Sequence, residues 1–247
     1  MLIDIHNHID FYKDEEIKAI VERARKNKVG IILINGVKPK NNRRILELTK
    51  KYKEVKASWG LYPIDALSMQ DKDIDNEISF LKINKDNIIA VGEVGLDYKE
   101  DEKEHEKQKE ILRKIIKTAI ELDKPLIIHS RKAEKDTIEL LKKMKAKKVI
   151  MHCFNGNLKL VEKIIENKWY LTIPTNVVFA EHFQKVISQC PIEQLFCETD
   201  SPYLHPRKER NNEPANIIES YKKIAEIKNL PVEEVEKKIE ENYKQLF

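Results

Sequence analysis

The chain has 247 residues, 46 of them Lys or Arg and 42 Asp or Glu, giving a formal charge of +4 with histidine neutral, at 41% hydrophobic and 36% charged. This composition is too apolar for a disordered segment, and it holds no apolar run near the roughly 18 residues that a membrane span needs. The small positive excess excludes general attraction to polyanions, so any nucleic-acid contact must come from a local patch.

Short apolar runs alternate with longer charged segments along the whole chain. The runs predict strands over residues 2–6, 29–35, 55–61, 88–94, 125–129, 148–152, 170–174 and 194–199. The segments between them carry apolar residues at helical spacing, as in Ile111, Ile115, Ile116, Ala119 and Leu122, so one face can be buried while the lysines stay in water. Eight strands alternating with eight helices close a (β/α)8 TIM barrel, a fold that typically takes about 250 residues. An open doubly wound sheet would want a glycine-rich turn after its first strand. His6-Asn7-His8 stands there instead, and the six glycines form no G-x-G-x-x-G. No linker or repeat divides the chain, so residues 1–247 are expected to form one domain, with an extra C-terminal helix over 232–246. Cys153, Cys190 and Cys197 form no C-x-x-C, which argues against a disulfide framework or a thiolate zinc site. With no secretory leader after Met1, the expected location is the cytoplasm.

Four of the seven histidines, His6, His8, His129 and His152, stand at or just past the C-terminal end of a predicted strand, and Glu93 and Asp200 join them. In a barrel those ends meet at one mouth, where active sites of this fold are built. An isolated H-x-H is more often an ordinary hydrogen-bonded pair than a ligand pair. Two residues apart on an extended backbone, however, both rings face one way, and four further ligand-type residues on matching strand ends favour a metal centre. Without cations, four imidazoles and two carboxylates would repel or titrate unfavourably. Six ligands exceed what one catalytic zinc takes, so they divide most naturally between two divalent ions, with Glu93 as the candidate bridge.

The segments His6-Asn7-His8, Gly92-Glu93-Val94-Gly95-Leu96-Asp97-Tyr98, His129-Ser130-Arg131, His152-Cys153-Phe154-Asn155-Gly156, Glu198-Thr199-Asp200-Ser201-Pro202-Tyr203-Leu204 and Asn212-Glu213-Pro214 resemble the motif series of TatD-type metal-dependent deoxyribonucleases, in that order and over essentially the full chain. The resemblance implies a two-metal phosphodiesterase acting on DNA. It implies that His6, His8 and Asp200 hold one ion, that His129 and His152 hold the other, and that Glu93 binds both. It departs at Gly60-Leu61-Tyr62-Pro63, where Tyr62 replaces a histidine near the phosphate-handling side, and at Thr172-Ile173-Pro174-Thr175-Asn176, where a more glycine-rich stretch is usual. Tyr62 can donate a hydrogen bond but cannot act as an imidazolium.

From these residues the expected chemistry is attack by a metal-activated water, with Asp200 orienting that water or taking its proton and Glu93 completing the catalytic pair. Candidate substrate contacts are Arg131, Tyr62, Arg207 and Arg210, with Tyr203 or Phe154 as base-stacking rings. For Arg131 a plain surface salt bridge weighs equally. Glu198 is expected to orient a ligand, Asp97 to hold its loop or orient a ligand, and Cys153 to be a small buried hydrophobe. His105 and His182 are expected to be solvated, the role of His205 stays open, and the run of lysines from Lys142 to Lys148 is expected to be a solvated face. The sequence does not choose among zinc, manganese, magnesium, nickel and iron. The expected partner is DNA, at ends or in single strands, with no membrane, for a monomer or small homo-oligomer. Two rival readings are a hydrolase of a small amide, lactone or phosphoester using the same ions, and a metal-binding barrel that has lost catalysis.

Overall fold

In a computed structural model that describes residues 1–208 and 211–247, strands and helices alternate from end to end. The strands are β1 (Leu2–Asn7), β2 (Val29–Asn35), β3 (Val55–Trp59), β4 (Ala90–Asp97), β5 (Leu126–Arg131), β6 (Val149–Met151), β7 (Tyr170–Pro174) and β8 (Leu195–Glu198). Each pairs in parallel with the next, giving one eight-stranded sheet in sequential order. The strands are apolar on both faces because both are covered: β1, β4 and β7 are buried at every position.

The first and last strands meet along a seam that side chains hold as much as backbone does. Asp200 N–H donates to His6 O at 2.9 Å and His8 N–H to Ser201 O at 2.7 Å. The Asp4 carboxylate accepts from Thr199 N–H at 2.9 Å and from its hydroxyl at 2.6 Å. The Tyr221 hydroxyl bridges the Ile3 amide and carbonyl at 2.9 and 3.2 Å. The barrel is thereby closed, and the pins that close it at β8 also place Asp200 beside His6 and His8.

The helices are α1 (Asp14–Lys26), α2 (Pro39–Lys51), α3 (Pro63–Leu67), α4 (Asp71–Ile83), α5 (His105–Glu121), α6 (Glu134–Lys143), α7 (Leu158–Glu166), α8 (Glu181–Gln189), α9 (Ile218–Lys228) and α10 (Val232–Leu246). Among the described residues this is one more than the eight and a C-terminal extra that the periodicity predicts. The addition is α3, a short turn of helix opened by Pro63, whose fixed φ suits a first helical position. α10 matches the predicted extra helix, and Asn242 anchors it by donating to Ile192 O and Leu195 O at 2.8 and 2.9 Å.

Three strands differ from expectation by two or more residues at their C-terminal ends. β3 stops at Trp59 because Gly60 passes directly over β4: a Cβ there would lie 2.0 Å from Gly36 O and 2.3 Å from Glu93 N, an approach that only glycine allows. β4 and β5 run on to Asp97 and Arg131, where paired register sets Asp97 opposite Arg131 and Gly95 opposite His129. No helix among the described residues is long and apolar enough to cross a membrane.

Candidate metal centre

All six predicted ligands converge at the C-terminal mouth of the barrel. His6 and His8 come from the end of β1 and the residue just after it, His152 from the residue just after β6, and Glu93 and His129 from within β4 and β5, which run on past them, while Asp200 comes from the turn after β8, where its φ of 51° lies in the left-handed region that Asp tolerates. His6 Nε2 and His8 Nε2 stand 3.1 Å apart, as the two-residue spacing requires. Glu93 lies between two histidine pairs. Its Oε2 is 3.6 Å from His6 Nε2 and 3.2 Å from His8 Nε2, while its Oε1 is 2.9 Å from His129 Nδ1 and 3.3 Å from His152 Nε2. Asp200 Oδ1 faces the first pair at 3.5 and 3.6 Å.

The remaining ring nitrogens fix which lone pairs point inward. His8 Nδ1 faces Asn35 O at 2.9 Å, His129 Nε2 faces Asp97 Oδ2 at 3.1 Å, and His152 Nδ1 faces Glu198 Oε2 at 3.2 Å. An imidazole N–H donated outward leaves the inward nitrogen as a lone pair, the arrangement that ligating histidines adopt. His6 is the exception: its Nδ1 is buried without a hydrogen-bond partner among the described residues, and its ring stacks on His152 at 3.8 Å. Inward lone pairs and carboxylate oxygens packed in a buried pocket fit divalent cations, and they form the compact sets His6/His8/Glu93 and Glu93/His129/His152.

The protein alone carries the electrostatic strain that such cations relieve. Burial and the neighbouring His152 hold His6 well below the ordinary imidazole pKa. Burial opposes charge on His8 as well, but the Glu93 and Asp200 carboxylates push it up to about 9. Burial raises Asp200 to about 7 against the pull of His152 and His8, whereas Glu93, also buried, is held well below the usual carboxylate range by His152, His129 and His8.

One wall of the surrounding pocket, whose volume is about 880 Å³, is a closed network. Asp97, fully buried, accepts at Oδ1 from the Lys99 and Glu100 amides at 3.0 and 3.1 Å. Its Oδ2 accepts from Tyr62 Oη at 2.6 Å and Arg131 Nε at 2.7 Å besides facing His129. It thus ties its loop and also contacts His129, a candidate ligand. Against the penalty of burial, these donors hold its carboxyl well below the usual range. Arg131 also pairs with Glu100, so it is a pocket-wall residue and a salt-bridged one together. Tyr62 lines the pocket with its ring edge-on to His129 at 5.1 Å.

Other expectations meet a different outcome. Phe154 is 1% exposed, packed into the core by the turn at Cys153, and is in no position to stack a base. His105 is not solvated but stacks on Tyr98 at 3.6 Å, and His182 is half-buried, with Nε2 3.0 Å from Phe154 O. Cys153 is half-buried and lines the pocket, its thiol pushed well up by burial and by Glu198 and Asp200. Arg207 is exposed and lies outside the pocket lining, because the chain turns away after Leu204. Arg210 lies outside the described residues. Of the residues that the sequence reading did not single out, Phe11, Lys38 and Asn41 line the pocket. The available signal was their position just after β1 and β2, in the turn after β1 and at the start of α2.

The comparisons with known proteins agree with this geometry. The family model described as "TatD related DNase" matches residues 3–247. An uncharacterized metal-dependent hydrolase of Bacillus subtilis, YabD, is 34% identical, with 100% of this chain and 99% of that one covered. Human deoxyribonuclease TATDN3 is 32% identical, with 100% and 94% covered. Among solved structures, YJJV, a TatD homologue of Escherichia coli, superposes with a TM-score of 0.93 at 26% identity, over 100% of this chain and 97% of that one. With its ligand-bearing barrel mouth and a match across nearly its whole length, this chain belongs to the TatD family of metal-dependent hydrolases.

Proposed function

We propose that the protein is a divalent-metal-dependent deoxyribonuclease that hydrolyses phosphodiester bonds at DNA ends or in single strands from a binuclear centre. The observation that carries this reading is the division of the Glu93 carboxylate, one oxygen toward His6 and His8 and the other toward His129 and His152. A bridging carboxylate between two histidine pairs suits two cations, and two-metal sites stabilise the attacking and leaving oxygens of an in-line displacement at phosphorus. The human relative named as a deoxyribonuclease supports the choice of substrate.

His6, His8 and Asp200 would hold one ion, His129 and His152 the other, and Glu93 both. Bound there, the ions supply Lewis acidity that brings water within reach of deprotonation near neutral pH and offsets charge on the phosphate. The Asp200 carboxylate stands at the mouth, where it orients the attacking water and takes its proton. Asp97 keeps His129 in one tautomer throughout. Arg131 and Tyr62 line the pocket as candidate donors to phosphate oxygens, although their hydrogen bonds to Asp97 limit how far they can reach. A concave pocket of this size admits a terminus or an unpaired strand more readily than it admits an intact duplex.

One observation favours a second reading, the hydrolysis of a small phosphoester, amide or lactone. Tyr62 occupies the place of the family histidine and is tied to Asp97, so a phenol stands there instead of an imidazole. The deciding experiment measures hydrolysis of 3′- and 5′-labelled single-stranded DNA with magnesium, manganese, cobalt or zinc, with Glu93→Gln and Asp200→Asn purified in parallel. Laddering by the wild type alone, abolished by chelator, is expected, with a loss in both variants beyond the roughly 100-fold upper range for outer-sphere partners. Equal activity in all three preparations, or none with any metal, overturns the nuclease reading. Efficient turnover of small esters in its place establishes the alternative.

A further inference from the structure

The rim loops that follow β8, β1 and β2 differ from the rest of the mouth. Phe11, at the end of a single 3-10 turn after β1, is 44% exposed, and Tyr203, just after β8, is 56% exposed. Both line the pocket beside the ligands. Phe11 lies parallel to the His8 ring, 13° between planes and 5.1 Å between centroids. The two loops are joined at their roots by the His8–Ser201 backbone hydrogen bond of 2.7 Å. Phe11 then folds back through its own amide to His8 O at 3.0 Å, and Tyr203 through its amide to Asp200 O at 2.8 Å. Each ring is therefore set by a bond to the backbone of a predicted ligand. The next loop adds Lys38 at the N-terminus of α2, tied to the same turn by the hydrogen bond from Asn41 to Asp10. Lys38 lines the pocket and forms no ion pair with any described residue, whereas Arg131 on the far wall is held by two carboxylates.

Exposed aromatic rings cost free energy in water, roughly 25 cal/mol for each Å² of apolar surface. Two of them on one rim, next to a lysine with no ion pair among the described residues and a candidate phosphate-cleaving centre, have the composition of a single-strand nucleic-acid site, in which bases stack on rings and a lysine takes the backbone. We infer that Phe11 and Tyr203 form a base-stacking subsite, with Lys38 as its phosphate contact, which holds the unpaired nucleotide adjoining the bond to be cut. The inference rests on the nuclease reading and assigns it a substrate form: a flexible strand whose bases are free to unstack. Every base offers a π-face, so the subsite selects unpaired over paired nucleotides with little regard to sequence.

The test measures binding of a phosphorothioate octathymidylate, which resists cleavage, to the metal-loaded protein by fluorescence anisotropy, alongside an oligonucleotide of the same backbone without bases. Tyr203→Ala and Phe11→Leu are each expected to weaken binding of the base-bearing strand about tenfold and to leave the base-free strand unchanged, while Tyr203→Phe keeps wild-type affinity. Tyr203 is exposed and its only hydrogen bond among the described residues is from the backbone amide, so Tyr203→Ala remains informative even if Phe11→Leu disturbs His8. Replacing one thymine by 2-aminopurine should show quenching by the wild type that Tyr203→Ala removes. Lys38→Gln should reduce the salt dependence of binding by about one phosphate contact, a slope change near 0.7 for a single strand. Equal binding of the base-bearing strand by wild type, Tyr203→Ala and Phe11→Leu overturns the stacking subsite while leaving the nuclease reading intact. No binding of either strand, together with no cleavage, overturns both.

Discussion

The two walls of the pocket are built on opposite principles. On the wall formed by β3, β4 and β5, polar groups are tied to one another: Asp97 takes Tyr62, Arg131, His129 and two backbone amides, and Arg131 is further tied to Glu100. On the wall formed by the loops after β8, β1 and β2, two aromatic rings and a lysine face solvent, their side chains without such ties among the described residues. A network whose members satisfy one another fixes geometry, because moving one group leaves its buried partners unpaired at a cost of about 1–3 kcal/mol each. An open rim has affinity left over. The same barrel mouth thus combines a wall of mutually tied polar groups around the candidate ligands with an open rim across from it.

The comparison can be broken at Asp97. In Asp97→Asn the carboxylate that fixes the His129 tautomer and anchors Arg131 becomes a neutral amide. Metal affinity, followed by calorimetric titration, is expected to fall 10- to 100-fold, with activity falling in step. Unchanged metal affinity would show that the closed wall is not what orients His129. A smaller effect, less than tenfold, is expected for Tyr62→Phe, which removes one of the donors on Asp97 and leaves the ring in place. If Tyr62 acts only through Asp97, the loss appears in metal affinity and leaves the Km for DNA unchanged; a raised Km would instead assign its hydroxyl to the substrate. Burial and Asp97 keep the Tyr62 hydroxyl well above its ordinary pKa, so neither outcome depends on its ionisation at neutral pH.

The smallest effect sharpens the comparison from outside the site. Glu54, just before β3, is buried and held below the usual carboxylate range by Arg25, which pairs with it at 2.7 Å from α1. Because its pKa in the folded chain is depressed, this carboxylate stabilises the fold above its unfolded value of about 4.3, and the contribution is lost as pH falls through the folded value. Glu54→Gln should cost about 1 kcal/mol at pH 7, seen as a lowered Tm, with the gap to wild type closing as the pH drops from about 5 toward 3. Metal affinity should not move, since the pair is remote from the mouth. A metal defect in this variant would mean that any buried ion pair perturbs the centre, and the Asp97 result would then lose its meaning.

Much of the ligand set was legible because strand geometry is local. A two-residue spacing on an extended chain must place His6 and His8 on one face, and a strand end in a barrel must point to the mouth; neither statement needs the rest of the molecule. The role of Asp97 was half legible for the same reason, since its place at the end of β4 was visible and its partners were not. The loops defeated this reasoning. Phe154 and Tyr203 both follow strand-end ligands at short distance, yet one is 1% exposed and the other 56%, because the turn at Cys153 sends the chain inward and the turn at Asp200 sends it outward. Phe11 and Lys38 carried no periodic signal at all.

The amino-acid sequence by itself determined the (β/α)8 barrel, its order of strands and the six converging candidate ligands, since hydrophobic period and strand length are written residue by residue along the chain. Only the tertiary structure decided that Glu93 offers one oxygen to each histidine pair, that Arg131 is locked to Asp97 and Glu100, and that two aromatic rings stand open on the opposite rim. Those facts depend on where side chains from strands far apart in sequence come to rest against one another, a matter of closure and packing that no local period encodes.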